Sequence, residues 1–428
     1  MFRRLPGRRH RSTVVAVVYL RFGQPSGLDG QRLFLDCPRM FAGKGPTAAV
    51  SCLAVTRCLV AGAVACLAGL LHAQEALPTV GEPPPMYVAE PFAGPGLAGM
   101  PGSVVPEMLP DWPRWFAGAS GLVMTRTLPS GAATMEPLDG RQLFTSDASA
   151  TWSGGVDVHV GRWLGPRQHH AVEMIYWGLY DVGSSASLTA DPPAIMAIPQ
   201  APGVTVGGTS AGAWLQDASG QWISRSDLVN DIEINWVYSL WERPEFLPRD
   251  RSVSLMWLAG FRFFQVGDTL TLATASSLPG LDSLQLGVAT NNNIYGAQVG
   301  AKFDWMFMPR VRLAIVPKFM IGGNAITNTT SLVDPSGADA TFAGGDPVNV
   351  HSTLGVFSWL GSVDTGVAWD ITDRWSLSIG YRVVGVGNIA QADGQWPAVI
   401  DSSDSLEGID AGSSTIVHGG FAGFESRY

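Results

Sequence analysis

From Trp115 to the C-terminus, apolar and polar residues alternate one by one, and helical spacing is scarcely found. No other feature constrains the chain as tightly, because successive side chains of a β-strand point to opposite faces. Between 295 and 307 one parity reads Tyr295, Ala297, Val299, Ala301, Phe303, Trp305, Phe307. The other reads Gly296, Gln298, Gly300, Lys302, Asp304, Met306. One face is wholly apolar; the other is small and polar. A turn centred on Pro309 would set Phe307 opposite Val311, Trp305 opposite Leu313, Phe303 opposite Ile315 and Val299 opposite Phe319. Apolar then meets apolar at each pair, as register requires. A second hairpin over 363–384, centred on Thr372, would bring Trp369 against Trp375 beside the turn. Segments 156–161, 231–239 and 252–263 alternate in the same way, which predicts about ten to twelve strands, many of 10–15 residues.

Alternation alone also fits a soluble sandwich with its apolar face inward. Strand length argues against that, since globular strands run to about 5–6 residues and membrane-barrel strands to about 9–11. Composition agrees. Only 15% of residues are charged, against roughly 25% in an average soluble domain, while 51 Gly, 15 Trp and 18 Phe are present. The polar parity is mostly Gly, Ser, Asn and isolated charges, not the Lys/Glu coat of a solvent face. The expected fold is therefore all-β, an antiparallel up-and-down transmembrane β-barrel with its apolar parity facing lipid, in the cell outer membrane.

The front of the chain differs. Residues 1–73 hold ten Lys+Arg and two Asp+Glu; the remainder holds 17 and 34, a net charge of −17, which argues against a nucleic-acid surface. All four cysteines (Cys37, Cys52, Cys58, Cys66) precede residue 74, so no thiolate site or disulfide framework exists beyond it. The uncharged run at 58–71, with Lys44 and Arg57 upstream and Ala73 before a polar break, reads as a secretory signal cleaved after Ala73. Residues 1–39 fit no signal, and Met40 opens a segment of ordinary signal proportions. Residues 74–111 form a Pro-rich extended linker, leaving 112–428 for the barrel.

Several segments carry a family resemblance: LAGFRFF at 258–264, TNNNIYGAQVGA at 290–301, and ITDRWSLSIGYRVV at 371–384, continuing to GNIA. VDVHVGRWLG at 156–165 and HGGFAGFE at 418–425 match less specifically. Over roughly 112–428 the chain resembles an outer-membrane β-barrel protein family of planctomycete bacteria without assigned function. The resemblance implies a barrel in the outer membrane and supplies no catalytic or binding residues.

Chemical motifs are few. Gly208-Thr209-Ser210-Ala211-Gly212 fits the hydrolase nucleophile elbow, but such an elbow needs a strand–turn–helix, and the sequence reads as loop. The glycines at 385–390 fit a dinucleotide fingerprint, yet no helix follows to meet a phosphate. His169-His170 lacks the further ligands of a zinc site. Asp157 and His159 share a face, with Glu173 across the hairpin, so a barrel-embedded hydrolase is the alternative to a passive barrel. No catalytic, metal-binding or cofactor-binding residue, and no cofactor, is assigned. The expected function is a passive pore or a structural surface role, with an adhesin using loops 126–150, 183–226 and 323–352 as a further alternative. Expected partners are outer-membrane lipid, the barrel-assembly machinery through the strand ending at Tyr428, and small ions or solutes.

Overall fold

The computed structural model describes residues 114–128, 131–149, 151–165, 167–240 and 253–428. The signal region (1–73) and the linker (74–111) lie outside the described residues. Twelve strands run in chain order. They are β1 (Trp115–Arg126), β2 (Ser153–Leu164), β3 (His170–Thr189), β4 (Thr205–Val206), β5 (Thr209–Ser210) and β6 (Gly220–Ser239). Then come β7 (Val253–Ala275), β8 (Ser283–Met308), β9 (Val311–Val333), β10 (Asn349–Asp370), β11 (Trp375–Ile389) and β12 (Ser413–Arg427). The two-residue β4 and β5 form a separate two-stranded sheet, which Thr205 extends by a single bridge to Thr341. The other ten form a closed antiparallel ring in which each strand pairs with its neighbours in sequence. Closure joins β1 to β12, with Trp115 and Tyr428 exchanging backbone hydrogen bonds in both directions. A closed ring leaves no unpaired edge, which is the condition for crossing lipid with strands.

The faces fall as the alternation predicts. Trp257, Val299, Trp305, Phe319, Val363 and Ile379 are exposed on the outer wall, while Asp231, Glu233, Arg262, Gln298 and Arg382 are buried inside. Trp305↔Leu313, Phe303↔Ile315 and Val299↔Phe319 are register partners, as expected. The turn itself departs from expectation. Met308, not Phe307, pairs with Val311, because a register shift beside Pro309 leaves Phe307 without a partner and Arg310 takes φ 68°. In the next hairpin Trp369 pairs with Leu377, not Trp375. Here Thr372 Oγ1 accepts the N–H groups of Arg374 and Trp375 and widens the turn. The displacement is two residues, so every side chain keeps its face.

The strands are longer than expected, up to 26 residues in β8. Tyr295 and Trp305 on β8, and Trp359 and Trp369 on β10, are ten residues apart and bound the apolar wall. Ten residues span about 33 Å along a strand, which a tilt of about 40° reduces to the about 25 Å of a barrel's apolar band. Beyond Tyr295 the outer positions turn to Asn293, Asn291, Thr269, Thr271, Thr327 and Thr329 while the ladder continues. These strands therefore project past the lipid, away from the chain ends. The segments expected as loops at 183–226 and 323–352 are accordingly part strand, and the connections there run only over 190–219 and 334–348. A further long connection, at 390–412, is one that the alternation does not signal.

Candidate functional site: the barrel lumen

The interior is stacked in layers, and each follows from inward-parity residues at one height. Far from the chain ends, the connections fold in against the wall. Met135, Ile195, Val204, Trp214, Phe342 and Ile400 from the connections pack on Leu270, Leu272, Leu284 and Leu332 from the strands. Below them lies a charged cluster. Arg126 holds Asp227 through Nη2 at 2.6 Å and Nε at 2.8 Å, and Asp268 at 3.0 Å. Arg225 donates to Asp268 at 3.0 Å, to Asp393 at 2.6 Å and to the Ala148 carbonyl at 3.1 Å. Asp393 belongs to a single 3-10 turn, Ala392–Gln395, in the connection from β11 to β12. That turn is latched to the wall again where Ala392 N–H donates to Asp268 and Asn292 both donates to and accepts from Ala390.

Next comes an apolar layer of Leu122, Met124, Trp177, Leu179, Val229, Phe264, Val266, Ile294, Met320, Leu360, Val384, Val386 and Val417, each at most 2% exposed. Nine of the ten barrel strands contribute. β2 instead brings Gly155, register partner of Leu122 and Leu179, where a Cβ would run into the Gly178 carbonyl. Eight-stranded barrels are just filled by their own side chains, and here large residues from almost every strand fill a ten-stranded one.

Toward the chain ends the lumen is polar again. Arg262 donates to Asp231 at 2.7 Å, and Lys318 to Glu233 at 2.9 and 3.0 Å. Gln298 donates to Glu233 at 2.9 Å and to Asn235 at 2.6 Å. Arg382 bridges Asp364 at 2.8 and 2.9 Å and Asp157 at 2.8 Å, with its guanidinium over the Trp177 ring. Each buried charge in this tier therefore has an opposite charge in contact, without which burial would cost several kcal/mol per ion.

Last is a chamber of about 190 Å³, lined among others by Asp157, His159, Glu173, Lys302, Asp304 and Glu425. The three residues of the hydrolase alternative thus share one space. Their geometry does not join them into one relay: Asp157 is taken by Arg382, His159 Nδ1 stands 4.0 Å from Asp157, and Glu173 is hydrogen-bonded to neither. Ser210 is elsewhere, exposed on β5 in the folded-in cap. Contrary to expectation a helical turn does follow it, over Gly212–Leu215, but four residues make one turn only. Ser210 Oγ accepts the Gly212 N–H at 3.4 Å and has no acid or base partner among the described residues. Of the paired histidines, His169 Nδ1 contacts the Ser239 carbonyl and His170 Nδ1 accepts from Trp236. Sequence reading missed Asp393 and the latch, since nothing in a loop carboxylate announces that its loop folds into a barrel.

A closed antiparallel ring, apolar outside across a bilayer's thickness and ion-paired within, defines an outer-membrane β-barrel protein. Residues 117–414 match the family described as Putative beta barrel porin-7 (BBP7), and the chain belongs to that family. Among curated proteins none matches. Among solved structures, the outer membrane protease OmpT from Escherichia coli is similar at 11% identity and TM-score 0.41, over 74% of this chain and 97% of that one. A major outer membrane protein from Thermus thermophilus is similar at 12% identity and TM-score 0.28, over 73% and 99%. The monoaromatic hydrocarbon channel CymD follows at 8% and 0.29, over 74% and 89%.

Proposed function

We propose that this porin-family barrel serves a structural, surface-forming role in the outer membrane with its axial passage closed, rather than acting as a permanently open pore. The observation that carries the reading is the apolar layer across the lumen, from Leu122 on β1 to Val417 on β12. An ion crossing it would shed its hydration with no polar group in return, at a cost of many kcal/mol. The latched connection above it adds a second closure. No catalytic role is included, because the Asp157 carboxylate is neutralised by Arg382. The segments that resemble a planctomycete family support a planctomycete source. Outer-membrane lipid on the Trp257–Ile379 wall, and assembly machinery engaging the strand that ends at Tyr428, complete the proposal.

Planar-bilayer recording tests it. The purified, folded barrel should give no steady unitary conductance in a KCl solution of about 1 M, where screening removes any long-range charge barrier. A stable, ohmic channel in every insertion would refute the closed reading and restore the pore.

A further inference from the structure

We propose that the chamber at the chain-end side of the lumen binds a small zwitterion, an amino-acid-like solute carrying one ammonium, one carboxylate and an apolar side chain. The proposal goes beyond the closed-barrel reading and does not depend on it, since the chamber lies on one side of the apolar layer.

In the tier above, the direct contacts of Asp231, Glu233, Asp364 and Asp157 with their cations run from 2.7 to 3.0 Å, and Arg262 stands a further 3.7 Å from Glu233. Around the chamber Arg312 is 3.8 Å from Glu425 and His159 4.0 Å from Asp157, while Arg427 donates to Glu425 at 3.2 Å. Three charged groups lining the chamber make no ion pair or hydrogen bond with any described residue: Glu173, Lys302 and Asp304. Asp304 is the most telling. It is 4% exposed, and its Oδ1 is buried without a hydrogen-bond partner among the described residues. Its register neighbours are Ser254, whose buried Oγ is likewise unpartnered, and Ala314, which offers no side-chain donor. Buried polar groups are almost always hydrogen-bonded, so the unanswered Asp304 carboxylate on the chamber wall points to something that fills it.

The chemistry of the unpartnered groups selects the occupant. Lys302 and Asp304 are two residues apart on one strand, so they share a face with bases about 7 Å apart. A bare cation would answer Asp304 and Glu173 and be repelled by Lys302; a bare anion would do the reverse. A zwitterion answers both, with its ammonium on Asp304 and its carboxylate under the flexible Lys302 ammonium. Phe116, Ile175, Met256 and Val316 on the chamber wall offer an apolar surface to its side chain. A volume of about 190 Å³ admits a single amino acid and excludes a peptide.

Equilibrium dialysis of the folded, full-length protein in detergent against radiolabelled L-leucine tests this. Saturable binding near one per barrel is expected, with Kd of about 1 mM or below. Isoamylamine and 4-methylvalerate, which keep one charge each, should compete at least about tenfold less well. Asp304→Asn and Lys302→Met should each weaken binding at least about tenfold, with folding checked by heat-modifiable gel mobility. Ala314→Phe should abolish binding by filling the chamber while leaving every charge in place, and it keeps the test valid if a charge variant misfolds. Absence of saturable leucine binding up to about 10 mM would mean a water-filled chamber and overturn the proposal. Equal binding of isoamylamine, or leucine binding unchanged in Ala314→Phe, would overturn it too.

Discussion

Replacing Asp393 by alanine should release the latch of the β11–β12 connection without unfolding the barrel. Asp393 is 7% exposed; it accepts from Arg225 Nη2 at 2.6 Å and from the Thr145 hydroxyl. Removing one partner of a buried ion pair costs about 3–5 kcal/mol, mostly because the other charge is stranded. Arg225 is not fully stranded, since it keeps Asp268 at 3.0 Å and the Ala148 carbonyl at 3.1 Å. The low end, about 3 kcal/mol, is therefore the expected loss. Because the connection can open as a unit while the strands stay paired, the loss falls on local opening. At 1.4 kcal/mol per decade, that is an increase of about 150-fold in the open fraction. Amide hydrogen exchange reads it directly at Ala392, whose N–H donates to Asp268, and at Gly394, whose N–H donates to the Gln391 carbonyl. Both should exchange about 150-fold faster, while the Val384 and Val417 amides in the strands stay protected. Asp404→Ala, exposed in the same connection, is the control and should change nothing measurable. Exchange at Ala392 within about threefold of wild type would refute the latch. Equal loss of protection in the strands would mean that the connection is part of the global unit. Bilayers should stay silent for Asp393→Ala, since the apolar layer remains below.

Three further outcomes follow from the layers. Val299→Arg, 61% exposed near the middle of the lipid-facing span of β8, should destabilise the folded barrel in urea titrations by about 2–4 kcal/mol, whereas Trp305→Arg at the edge should cost about 0–1; equal costs would place the bilayer elsewhere. Gln298→Arg, which an open lumen would tolerate, should instead destabilise by more than about 1 kcal/mol: Gln298 is 2% exposed and its space is filled by Glu233 and Asn235; a neutral effect would argue for a roomy interior. Phe264→Ala should cost about 3–5 kcal/mol, because its fully buried ring packs on Trp177 at a centroid distance of 6.0 Å; a loss below about 1 kcal/mol would mean that the layer is loosely packed and hydrated.

The sequence by itself determined the strands, their faces and the compartment. A side-chain period of two is a local property of extended backbone, so the parity of Val299 against Gln298 was legible without knowing any neighbour. Register was legible between β8 and β9, tied by the short turn at Pro309, but slipped by two residues at Trp369 because the width of that turn depends on a hydroxyl contact from Thr372. What only the tertiary structure decided was the content of the lumen. Leu122, Trp177, Phe264 and Met320 sit on the polar parity of separate strands, where each looks like an isolated exception to the alternation. Barrel closure brings them to one height, and there they become a seal. Asp393 and Arg225 are 168 residues apart, and Asp304 Oδ1 is buried without a hydrogen-bond partner among the described residues because neither register neighbour, Ser254 or Ala314, donates to it. Alternation is written residue by residue, but whether a tube is open or filled depends on which residues of ten strands meet at the same level, and that follows from register and closure together.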